Sequence, residues 1–110
     1  MKRYRFRALV SLDPPGKDHP PRVYPCGTHS LMVRSCRLGD PALCRYFPAT
    51  IYRADECPLR PGDRDVLVTI EVTDDAACDF LGPGQEVSLW NGTDVGRGVV
   101  SRRAFFTWAI

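Results

Sequence analysis

The sequence predicts a small all-β domain, a barrel or sandwich, and three observations predict it. Two segments, Tyr4 to Leu12 and Asp65 to Val72, alternate with the period of two that gives a strand one buried face. Proline and glycine interrupt the chain so often that no window holds an amphipathic helix of three turns. Asn91-Gly92 stands between two apolar runs, the short-range pattern of a hairpin whose central residues take positive φ.

The elements follow in order. In the first segment Tyr4, Phe6, Ala8, Val10 and Leu12 form the apolar set. "DPPGKDHPP" then puts four prolines and a glycine in nine residues, which rules out helix and removes ladder donors, so it is an exposed loop. "RVYPCGTHSLMVRS" reads as a short strand, a bend at Pro25 to Gly27 and a second strand through Leu31 to Val33. Between Cys36 and Arg60 a single helical turn is expected near Pro41 to Tyr46, with Asp40 as cap. "ATIYR", Ala49 to Arg53, has the β-branched and aromatic content of a strand. A Pro-Gly turn leads into the Asp65 to Val72 strand, and "TDDAACDFLGPGQ" can hold a short helical turn. Glu86 to Trp90 and Thr93 to Ser101 are the two arms of the closing hairpin.

Length and composition narrow the class. A chain of 110 residues fits one domain, residues 1–110, with a core of its own. Apolar residues at 44% and charged residues at 25% are ordinary for a globular chain. A net charge of +2 is only mildly basic and leaves the partner open. Lys2, Arg3, Arg5 and Arg7 open the chain and Arg102 and Arg103 stand near its end; they read as solvated strand faces, or as one patch if the ends pair. The apolar run at the start stops at Asp13 without a cleavage site, so no signal peptide is expected, and no segment is long enough to span a membrane. The expected location is the cytoplasm. Five cysteines at irregular gaps, without a secretory signal, are expected as reduced thiols.

"RPGDRDVLVTIEV" at 60–72 and "FLGPGQEVSLWNGTDVGRGVVS" at 80–101, with "RFRALVSL" at 5–12 and "GKDHP" at 16–20, occur in an order that resembles the C-terminal barrel domain of elongation factor Tu and related translational GTPases. The resemblance implies a six-stranded antiparallel barrel that contacts transfer RNA and protein partners. It assigns a basic loop position to Lys17 and a hairpin tip near the RNA backbone to Asn91 and Gly92, with Asn91 where the family usually has glycine. Two departures stand out. No G-x-x-x-x-G-K-[ST] loop occurs, so GTP hydrolysis is not expected. The Cys36 to Pro58 segment and the tail "RRAFFTWAI" follow no family pattern.

The residues offer little catalysis. Gly96 and Gly98 lack the third glycine of a dinucleotide fingerprint and follow a hairpin turn where the fingerprint opens a helix; they are expected to shape the barrel strand, and no cofactor is expected. Cys26 and His29 have a C-x-x-H spacing without a second pair, which favours thiols and a surface histidine over a zinc site. His29 and Ser30 are adjacent and on a strand would face opposite sides, so no serine hydrolase is read here. Asp74-Asp75 caps a turn.

The expectation is therefore a non-catalytic binding module, for RNA or for a protein partner, with no enzyme, metal or membrane role. The alternative is a protein-interaction or regulatory protein, an adaptor or immunity-type binder, with no nucleic-acid role. Contacts are expected from Lys17, Asn91, Gly92, Arg97, Arg102 and Arg103. In the tail, Phe105, Phe106 and Trp108 are too apolar to stay in water. They fold back on the barrel, pair two copies into a weak homodimer, or dock on another protein.

Overall fold

The computed structural model describes residues 3–16, 22–37 and 39–101. Its strands are β1 (Tyr4–Leu12), β2 (Met32–Arg37), β3 (Asp40–Arg53), β4 (Val66–Val72), β5 (Glu86–Trp90) and β6 (Asp94–Val100), with one short helix, α1 (Ala77–Phe80). They close into an antiparallel barrel in the order β1-β4-β3-β2-β5-β6. The fold is all-β, as the alternating segments predict, and a six-stranded antiparallel barrel, as the resemblance implies.

Alternation builds the interior. Tyr4, Phe6, Ala8, Val10 and Leu12 of β1 all point inward, against Val68, Ile70 and Val72 of β4 and Val87 and Leu89 of β5. Phe47 and Ile51 of β3 fill the centre, and burying each such side chain contributes about 1.5–3 kcal/mol. The inner face of β6 is different, because two of its positions are glycine. A Cβ on Gly96 would lie 2.5 Å from the Ser11 carbonyl oxygen, and one on Gly98 would lie 3.0 Å from that of Leu9. The seam between β1 and β6 closes only because these positions carry no side chain, and the glycine-rich stretch is thereby accounted for.

One end of the barrel is plugged by α1. Phe80 meets Phe47 edge to face with ring centroids 5.6 Å apart, and the buried Ser35 hydroxyl donates to the Phe80 carbonyl at 2.6 Å. Arg45 lies over both rings and pairs with Asp74 at 2.9 Å.

Four local readings are corrected. Pro41 to Tyr46 is strand, part of the long β3, and not a helical turn. The Asp40 carboxylate does accept the Ala42 N–H at 3.2 Å, but β2 supplies a ladder partner that an isolated turn lacks. The second strand after the Pro25 bend runs from Met32 to Arg37, beyond the expected Val33. At the hairpin tip only Gly92 has positive φ; Trp90 faces Asp94 across a three-residue loop with a register shift, so the two-residue type I′ turn does not form. Finally, Cys36 and Cys44 are disulfide-bonded, and three cysteines, Cys26, Cys57 and Cys78, are free. The two bonded residues are direct partners in the β2–β3 register, which sequence spacing alone does not reveal.

Candidate functional site

The outer face follows from the same register. Ser11 on β1 faces Arg97 on β6, Arg97 faces Ser88 on β5, Ser88 faces Arg34 on β2, and Arg34 faces Tyr46 on β3. These five residues form one row across five strands, at about 4.8 Å per step. A groove of about 520 Å³ lies along its first four members, from Ser11 to Arg34, with Tyr46 beyond the groove's lining; a smaller cavity of about 300 Å³ continues it past the end of β1 toward Arg64.

Each member is held by its strand. Inward neighbours Val33, Ser35, Val87 and Leu89 are buried, which by alternation turns Arg34 and Ser88 outward. Gly96 and Gly98 flank Arg97 in the same way. Ser11 accepts a hydrogen bond from the Asp65 N–H at 3.0 Å, which fixes its oxygen. Asp65 adopts a left-handed backbone, φ 50°, to make that contact. At the far end Tyr46 is 45% exposed and meets Trp90 edge to face, with centroids 5.2 Å apart.

The electrostatics are set by pairing. Among the described residues, the ion pairs engage Arg3 and Arg5 with Glu71, Arg45 with Asp74, and Arg53 with Asp55 and Asp63; Arg34 and Arg97 are in none of them. Glu86 and Asp65 also line the groove, without reaching ion-pair distance of either arginine. Asp65 stands at the β1 end of the row, next to Ser11, and Glu86 lies beside the row, opposite Val99. The row is thus cationic and hydroxyl-bearing, with one carboxylate at its end and one along one side. A second row, Leu67, Leu9 and Val99, runs beside it and is apolar. These three side chains are 43–48% exposed.

Of the residues expected from sequence to contact a partner, Arg97 lies in the row. Asn91 and Gly92 stand at the β5–β6 tip, where Asn91 donates its side-chain amide to the Tyr24 hydroxyl at 3.2 Å. Lys17, Arg102, Arg103, Phe105, Phe106 and Trp108 lie outside the described residues. Cys26 and His29 are engaged apart: the Cys26 sulfur meets the Arg53 backbone N–H at 3.3 Å, and His29 Nδ1 lies 2.9 Å from the Thr50 hydroxyl. Among the described residues no cluster of three His, Cys, Asp or Glu is placed to hold a metal ion. Arg34, Ser88, Tyr46 and Trp90 were not singled out from sequence; the alternation of Glu86 to Trp90 was legible, but Arg34 lay past the expected strand, Tyr46 lay in the expected helical turn, and their juxtaposition needs the β2–β5 and β2–β3 pairings. Compared with known proteins, the chain matches no family model, no curated protein and no solved structure.

Proposed function

We propose that this protein is a non-catalytic RNA-binding module, a barrel of the kind its motifs resemble in elongation factor Tu. The observation that carries the reading is the Ser11-Arg97-Ser88-Arg34-Tyr46 row, two arginines without carboxylate partners alternating with hydroxyls on a concave face. Guanidinium groups bind phosphate oxygens with forked geometry, and neighbouring hydroxyls add donors. With two arginines on the row, affinity is modest and steeply salt-dependent through counterion release. The test is titration of labelled transfer RNA at low and moderate salt. Binding that falls with salt supports the reading, and no binding at low salt removes it.

A second reading rests on a different observation, the apolar row Leu67, Leu9 and Val99. Three large exposed aliphatic side chains in cross-strand contact suit a protein partner. If RNA fails to bind, and a protein held by the wild type is released by Leu9→Glu, this reading replaces the first.

A further inference from the structure

We infer that the groove takes the backbone of single-stranded RNA on Arg97 and Arg34, with an unpaired base stacked on Tyr46 at the strand next to it; the inference rests on the RNA reading above. One feature of the row points to a single strand, its aromatic end. Tyr46 lies one strand beyond Arg34, and Trp90 supports it edge-on, so an exposed ring is held beside a phosphate-binding guanidinium. A ring in that position serves a base whose face is free, and in a duplex those faces are already covered by neighbouring base pairs.

The experiment uses the full chain and two labelled probes, an unstructured single-stranded RNA and a blunt duplex of equal length, followed by anisotropy at low salt. The variants are Tyr46→Ala and Tyr46→Phe, each with a thermal melt to show that the barrel is intact. Single-strand affinity about tenfold above duplex, lost about tenfold in Tyr46→Ala and kept in Tyr46→Phe, is the expected result. Equal or tighter binding of the duplex overturns this inference while leaving the RNA reading standing. Unchanged single-strand binding in a folded Tyr46→Ala protein overturns the stacking role. Silence of both probes overturns the RNA reading itself.

Discussion

Two sets of arginines stand on the outside of this barrel, and they differ in what they face. On β1, Arg5 donates to Glu71 at 2.7 Å and Arg3 lies 3.7 Å from the same carboxylate, which is largely buried by them. Across the groove, Arg34 and Arg97 face serines and an aromatic ring. The first set is paired with a carboxylate; the second is in no ion pair among the described residues. Net charge or a count of basic residues cannot separate the two, because the separation is made by strand register.

The sharpest way to break the comparison is from inside. Gly96→Val puts a side chain against the Ser11 carbonyl at the β1–β6 seam, where the neighbour is backbone and cannot swing aside. Overpacking of this kind costs about 3 kcal/mol or more, so a strongly lowered melting temperature is expected, with the groove lost along with the fold. A variant as stable as the wild type would show that the seam is looser than described.

Next in size is the open set. Arg34→Ala with Arg97→Ala should lower RNA affinity about tenfold to a hundredfold and flatten the log–log salt slope by about 1.4, two phosphate contacts on a single strand. The melting temperature should barely move, since neither side chain is in an ion pair among the described residues. The paired set should behave in the opposite way. Arg5→Ala leaves a mostly buried Glu71 with only the longer contact to Arg3, at a cost of about 1 kcal/mol, reduced because Arg5 is half exposed. RNA affinity should change less than about twofold, as an exposed charge outside the groove is screened. Equal losses of affinity from both sets would erase the distinction between them.

The same contrast explains what the sequence made legible. β1, β4, β5 and β6 each show their alternation in consecutive residues, and their inward sets can be read directly. β3 hides its nature because Pro41 and Pro48 resemble breaks. In the barrel β3 pairs with β2 up to Pro48 and with β4 from Ala49, so Pro48 sits where one ladder hands over to the other and its missing N–H is tolerated. Gly96 and Gly98 were legible as barrel glycines, because glycine in a strand has few other uses. The outer row was not, apart from Arg97. Arg34 and Ser88 are far apart in the chain and meet only through β2–β5 pairing, for which no local pattern exists.

The smallest effect comes from the paired end, and pH exposes it. The Tyr4 hydroxyl donates to the Asp75 carboxylate at 2.7 Å, and this hydrogen bond is the main reason its ionisation is pushed up to about 12 from the usual 10.0. A raised folded value means that the fold favours the protonated phenol. Its contribution is complete below the unfolded value near 10 and is lost as pH rises through about 12. Wild-type stability should therefore carry an extra decline across that alkaline window, visible by chemical denaturation alongside tyrosinate absorbance. Tyr4→Phe should be slightly less stable at neutral pH and should lack that part of the decline. An identical alkaline decline in Tyr4→Phe would mean that the Asp75 hydrogen bond does not couple to folding, and that the paired end of the barrel rests on Arg5, Arg3 and Glu71 alone.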